Sequence, residues 1–364
     1  MTVNRMNFER ENIRRMAGYT SGEQPDNELT IKLNTNENPY PPSPQVSEVL
    51  SQFNPESLRR YPPATAQKFR QLAAELHGLD QKNVIATRGG DELLRLVITT
   101  FIDPGEKIGM TNPTYSLYPV LAQIQDCPIV EVPLLADWTL PGEFARSMND
   151  AKVKLTFLVN PHAPTGVLMP IDQVSNLASE LNSILLLDEA YINFVDHDYQ
   201  TSQLIKQHDN LVILRTLSKG YSLAGLRFGY GLADHSLIEP MLNKTRDSYN
   251  LDFISQLIAE AAIADQDYVR GNWRKVIIER NRLKVQLHEL GIICAESQAN
   301  FLLATIPESI NSGAAKLYQQ LKERHILVRY FNAARLGDKL RISVGTQEEN
   351  NQLLSAIKGL VDQH

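Results

Sequence analysis

Along the first two-thirds of the chain, short apolar runs alternate with longer stretches of helical periodicity. The runs NVIATRGG (83–90), KIGMTNP (107–113), KLTFLVNP (154–161), SILLLDEAY (183–191) and NLVILRTLS (210–218) each predict a strand. Between several of them, apolar residues recur at helical spacing, as in DELLRLVITTF (91–101) and IDQVSNLASELN (171–182). Strands apolar on both faces and separated by helices predict an α/β fold with a mainly parallel sheet flanked by helices. From about Asp252 the pattern changes. A long helical stretch through WRKVIIERNRLKVQLHEL is followed by NFLLATI, another helix, and the short runs ILVRYF and LRISVG, which predict a smaller α+β unit. The first thirty or so residues have little periodicity and lead into the Pro-rich NENPYPPSP. The expected organisation is an N-terminal arm (1–35) packing with the small domain, a large domain (36–250) and a small C-terminal domain (251–364).

Each predicted strand ends in residues of chemical character: Gly89-Gly90, Asn112, Asn160, Asp188 and Ser218-Lys219. Ligands of such sheets gather at the carboxyl ends of the strands. The run TLSKGYSLAGLRFGYG (216–231) poses the sharpest question, because it sets Lys219 among small and aromatic residues. A buried ammonium must be paired, deprotonated or consumed covalently. TRGGDELL places two glycines between a strand and a helix, so the free N–H groups of the first helical turn suit a phosphate. Asp188 closes a fully apolar strand one crossover before Lys219, which brings both to the same sheet edge. A lysine, an acid and a phosphate cradle together match the needs of pyridoxal 5′-phosphate, which forms an imine, carries a ring nitrogen and ends in a phosphate.

Composition narrows the partners. The 364 residues carry a formal charge of −6 and no basic run longer than a pair, so nucleic acid is not expected and a small-molecule substrate is. Two cysteines, Cys127 and Cys294, form neither a disulfide framework nor a metal-ligand spacing, which fits a reducing cytoplasm. The charged N-terminus lacks the apolar stretch of a signal peptide, and no apolar run has the length of a membrane span.

The segments GYTSGEQP, LNTNENPYPPSP, RRYPP, RGGDELL, NPTYSLY, PTG, DEAYINF, RTLSKGYSLAGLRFGY, ANFLLA and LRISVGTQEEN occur in this order and span nearly the whole chain. Together they resemble the class II pyridoxal-phosphate aminotransferases, and more specifically the histidinol-phosphate aminotransferases. The resemblance implies a fold-type I homodimer with shared active sites, transferring an amino group between histidinol phosphate and the glutamate/2-oxoglutarate pair. It implies that Lys219 carries the Schiff-base link and acts as general base, and that Asp188 pairs with the ring nitrogen. Tyr191 is implied to bond the coenzyme's phenolic oxygen and Tyr115 to stack on its ring. Gly90, Asp91, Glu92, Ser218 and Arg227 would hold the phosphate, with Tyr61 reaching it across the dimer. Arg341 would grip the substrate carboxylate, and Tyr19, Asn36, Asn300 and Arg329 would line the substrate side.

Two positions depart from the family. Ala163, in NPHAPTG, stands where the family has the asparagine that bonds the phenolic oxygen, and leaves Asn160 or His162 as candidate substitutes. His162 has a second reading, as a polar residue satisfied at a strand end. Pro63 replaces a common aspartate. These departures keep two other outcomes in view, an aminotransferase of another, aromatic amino acid and a lyase or cyclase of a γ-substituted amino acid such as hydroxyarginine. A guanidinium substrate needs acids, which the arm offers in Glu9, Glu11, Glu23 and Asp26.

Overall fold

The computed structural model describes residues 8–25, 27, 29–310 and 312–361. In chain order its strands are β1 (Ile31–Lys32), β2 (Val84–Thr87), β3 (Lys107–Asn112), β4 (Ile129–Pro133), β5 (Val153–Val159), β6 (Ile184–Asp188) and β7 (Leu211–Thr216). They continue as β8 (Gly229–Ala233), β9 (Ile293–Cys294), β10 (Phe301–Thr305), β11 (Ile326–Leu327), β12 (Arg329–Tyr330) and β13 (Lys339–Ser343). Seven strands form one sheet in the order β2-β8-β7-β6-β5-β3-β4. Neighbours from β7 to β4 are parallel, and β8 alone runs against the rest.

The central strands are apolar throughout because helices cover both faces. With side chains alternating across the sheet, Leu185, Leu187 and Ile213 pack on the helices Gln67–His77, Ile171–Glu180 and Phe253–Ala264. Leu186, Val212 and Leu214 meet the helices Gly89–Phe101 and Leu117–Ile124 on the other face. Each of these leucines is almost fully buried, a contribution of about 2 kcal/mol apiece. β8 is glycine-rich for a packing reason. A Cβ at Gly229 would lie 2.8 Å from the carbonyl carbon of Gly89, so the glycine lets the start of the helix Gly89–Phe101 press onto the strand.

The C-terminal residues build a four-stranded antiparallel sheet, β12-β13-β10-β9. Leu302 and Ile342 there pack on Leu283, Leu317 and Leu353 of the helices Gln266–Glu289, Ala314–Glu323 and Gln347–Val361. The fully buried Arg280 of the longest helix donates to the carbonyls of Phe194 (2.8 Å) and Ala299 (3.1 Å), tying the two sheets' surroundings together. The N-terminal arm bridges both parts rather than packing with the C-terminal one alone. Arg10 and Asn12 donate to the carbonyls of Ile124 and Gln123 at 2.8 Å each, beside the large sheet. β1 pairs with β11 in parallel, on the C-terminal side. Among the described residues no helix is long and apolar enough to cross a membrane.

Candidate active site

The carboxyl ends of β5, β6 and β7 open into a cavity of about 460 Å³ that also receives the arm and the C-terminal sheet. Lys219, in the loop after β7, faces it and donates from Nζ to the Thr35 carbonyl at 2.8 Å. Burial lowers the Lys219 amine to about 8, and the nearby Arg341 charge pushes the same way. Asp188 ends β6 and is buried; burial raises its carboxyl to about 6, against the opposing pull of its hydrogen bonds. Its Oδ2 accepts from the Tyr118 hydroxyl at 2.8 Å and its Oδ1 from the Ala190 N–H at 3.0 Å. Tyr118 belongs to the NPTYSLY segment, but its contact with a residue 70 positions away is set only by the fold.

The helix Gly89–Phe101 starts just after β2 and sets Gly90 and Asp91 of its first turn, where helical N–H groups lack intrahelical partners, on the cavity wall. Arg227 adopts the left-handed region (φ 58°), and its guanidinium lies over the Gly89 turn. A Cβ on Gly89 (φ 76°) would come within 2.8 Å of Arg227 Nη2, so the space is kept open by the glycine. Arg227 donates to Asp91 Oδ2 at 3.4 Å and to Ser218 Oγ at 3.5 Å. Gly90, Asp91, Ser218 and Arg227 all line the cavity. Glu92 does not line it with its side chain. Its carboxylate turns back to accept from the Arg88 N–H and from Asn250 Nδ2, fixing the helix start.

On the opposite wall, Asn36 Nδ2 donates to the Tyr191 hydroxyl at 3.1 Å, and the Ser343 hydroxyl donates to Asn36 Oδ1 at 2.9 Å. Asn300 is fully buried and supports Asn36 from behind, donating to its carbonyl at 2.9 Å rather than facing the cavity. Arg341 donates from Nη2 to the Asn34 carbonyl at 2.8 Å, while its buried Nε has no partner. Arg329 and Arg341 are cross-strand neighbours, and both lie over the Phe331 ring, at 5.4 and 5.6 Å. Tyr19 meets the Tyr115 ring edge-on at 6.2 Å, bringing the arm to the cavity mouth.

Four expectations fare differently. Asn160 is consumed by the fold: its Nδ2 donates to Tyr199 (2.6 Å) and its Oδ1 accepts from the Met169 N–H (2.8 Å). His162 is likewise held, with Nδ1 against Thr165 Oγ1 (2.8 Å) and Nε2 against the Pro113 carbonyl (3.1 Å). Neither side chain reaches the cavity, so neither replaces the asparagine missing at Ala163, which itself lines the wall. Tyr61 stands away from the cavity, 80% exposed and stacked on Tyr249 at 4.5 Å. Of the arm acids, Glu23 is bound to Lys322 (2.6 Å) and Tyr318 (3.2 Å), and Glu11 pairs with Arg15. Asp26 lies outside the described residues. No group of metal-ligating side chains occurs among those described.

The profile of the aminotransferase class I and II family matches residues 29–357. The chain is a member of that family. The enzyme is 42% identical over 357 residues to histidinol-phosphate aminotransferase 1 of Nostoc sp., covering 98% of this chain and 99% of the relative. It is 41% identical to the histidinol-phosphate aminotransferase of Citrifermentans bemidjiense, covering 96% and 98%. Among solved structures, histidinol-phosphate aminotransferase from Sinorhizobium meliloti, in complex with pyridoxal-5′-phosphate, superposes with a TM-score of 0.90 at 23% identity over 99% of both chains. L-threonine-O-3-phosphate decarboxylase from Porphyromonas gingivalis shares the fold as well (TM-score 0.78, 19% identity, 91% of this chain and 99% of that one). One fold therefore carries different chemistries, and the side chains must decide between them.

The coenzyme implied by the family fits the residues present. The Arg227 guanidinium lies against the Gly89 turn, and with Gly90 and Ser218 it lines the cavity at a helix N-terminus, a set of donors that suits an anion. The buried Asp188 has no cation beside it among its contacts, and the Thr114 hydroxyl and Arg341 Nε are buried at the cavity without partners.

Proposed function

We propose that this aminotransferase moves the amino group of histidinol phosphate to a 2-oxo acid, with glutamate and 2-oxoglutarate as the second pair. The observation that carries the reading is that Lys219 and Asp188 line one cavity, which also presents the adjacent cations Arg329 and Arg341. The full-length likeness to histidinol-phosphate aminotransferases supports the same substrate.

Pyridoxal phosphate, when bound, supplies an electron-accepting ring that stabilises negative charge on the carbon next to the substrate nitrogen. Gly90, Asp91, Ser218 and Arg227 would hold its phosphate and Tyr115 its ring face. Asp188, oriented by Tyr118 and the Ala190 N–H, would hold a proton at the ring nitrogen. Tyr191, itself oriented by Asn36, would donate to the phenolic oxygen in the absence of an amide at Ala163. Lys219 Nζ would bind the coenzyme at rest and, when free, take the proton from the substrate carbon. An amine lowered to about 8 keeps a useful neutral fraction near neutral pH. Arg341 and Arg329 would bind the phosphate of the amino donor and, in the other half-reaction, a carboxylate of the oxo acid, since a guanidinium fork matches either group. Tyr61 would complete the site from a second copy of the chain. Of the arm acids, Glu11 pairs with Arg15 and Glu23 with Lys322 and Tyr318, and the cavity's far end presents Arg329 and Arg341, so it suits an anion better than a guanidinium.

Single-turnover reaction with histidinol phosphate, followed by absorbance and mass spectrometry, tests the reading. Formation of the amine form of the coenzyme together with the oxo product is expected. Loss of water from a γ-hydroxylated arginine that keeps its amino group, with no reaction of histidinol phosphate, would overturn it.

A further inference from the structure

The segment that carries the anion-facing wall is fastened to the large sheet through Arg335. Phe331, Ala333 and Leu336 line the cavity, and Phe331 is the floor on which Arg329 and Arg341 rest. The neighbouring Arg335 turns outward and spans to the turn after β4, the edge strand. Its Nη1 and Nη2 donate to the carbonyls of Leu134 and Leu135, each at 2.6 Å. Its guanidinium lies 4.3 Å from the centre of the Trp138 ring. Both residues adopt left-handed backbone conformations, Trp138 at φ 70° and Arg335 at φ 64°. A bulky side chain pays an energetic penalty there and stays only where its surroundings hold it. Here the holding groups are visible: the turn is closed by Leu135 N–H to the Thr139 carbonyl (2.9 Å) and Trp138 N–H to the Leu135 carbonyl (3.1 Å). On the other side, the Leu336 N–H donates to the Ala333 carbonyl at 3.1 Å.

We propose that Arg335 and Trp138 form a latch that positions the 331–336 segment, and through Phe331 the substrate-binding arginines. Arg335 is thus a positioning residue that sets affinity for the anionic end of both substrates. Lys can keep the charge over the indole but not the fork onto two carbonyls, so Arg335→Lys retains only part of the effect. The inference rests on the substrate reading above for its kinetic consequence, but not for the latch itself.

Two measurements on the coenzyme-loaded enzyme separate these. In steady-state kinetics with histidinol phosphate, Arg335→Ala and Trp138→Ala each raise KM about tenfold while kcat stays within about threefold. The double variant resembles either single one, because the two side chains act as one unit. Trp138→Phe, which keeps an aromatic face, recovers most of the wild-type KM. Additive KM effects, or a fall in kcat at unchanged KM, would overturn the proposal. In limited digestion with trypsin, mapped by mass, Trp138→Ala is cut after Arg335 about fivefold faster than wild type, because cleavage follows the open population. Trp138→Phe falls between them. Equal cleavage rates in all three, with the coenzyme's visible band intact, would remove the latch. If the wild type fails to turn over histidinol phosphate, the substrate reading falls while the digestion still decides the latch.

Discussion

The Tyr118 hydroxyl donates to Oδ2 of Asp188 at 2.8 Å, with both side chains buried. Burial raises the Asp188 carboxyl to about 6, and this hydrogen bond pulls in the opposite direction. Removing it in Tyr118→Phe leaves only the Ala190 N–H on the carboxylate. Asp188 then takes up a proton more readily and holds a cationic ring nitrogen less well. Coenzyme affinity at pH 7 is expected to fall about tenfold, the scale of a hydrogen bond to a charged group, and the acid limb of the activity profile to move to higher pH. Coenzyme titration of the apoenzyme checks this; an unchanged affinity and profile would separate Tyr118 from Asp188 function.

The same carboxyl gives the apoenzyme a stability signature. Its folded value of about 6 exceeds its ordinary 3.8, so between these values the folded protein binds the proton more strongly than the unfolded chain. Its contribution to stability therefore falls as pH rises through that window. In denaturant titrations of the apoenzyme, the stability of Asp188→Asn taken as the difference from wild type should therefore rise as pH goes from 4 to 6; a flat difference would contradict it.

His162 works with the opposite sign. Burial lowers it from 6.5 to about 4, so it is neutral in the fold and its unfolded form takes the proton first. Stability is retained above about 6.5 and lost as pH falls toward 4, by about 3 kcal/mol at most. His162→Gln should reduce this acid sensitivity while leaving the coenzyme's visible band in place. A loss of that band at neutral pH with the fold intact would return His162 to the site.

Arg341 tests the substrate wall. Arg341→Lys keeps a charge but loses the fork, and KM for the phosphorylated donor and the oxo acid should both rise at least about tenfold. A rise for one substrate alone would separate the two half-reactions' anion sites.

Tyr61 and Tyr249 stack at the surface, 80% and 42% exposed. We expect this face to be covered by a second copy, with the shared site implied by the family. Sedimentation should show a dimer at assay concentrations, and a fully active monomer would contradict it.

Much of this was legible in the chain because the central strands are covered on both faces: apolar runs such as 184–188 and 211–216 end abruptly at polar residues that the sheet then collects at one edge. β8 was not legible, since its Gly229 is demanded by contact with Gly89 and carries no strand signal of its own. β4 is a half-exposed edge strand with a weak pattern. Asn160 and His162 do not stand in for the amide missing at Ala163, because nearness in sequence says nothing about where a side chain points; both are held in local hydrogen bonds, which for His162 is the second of its two readings, a polar residue satisfied at a strand end. Tyr118 and the Arg335–Trp138 contact depend on long-range packing that no local pattern encodes.

The central claim is that Lys219 is the residue that binds the coenzyme covalently, with an amine lowered to about 8. Borohydride reduction of the enzyme loaded with pyridoxal phosphate, followed by peptide mass mapping, tests it directly. The account predicts one modified lysine, Lys219, disappearance of the visible band, and an apoenzyme capture rate that rises with pH through about 8. No modification, or modification spread over other lysines with Lys219 untouched, would contradict it.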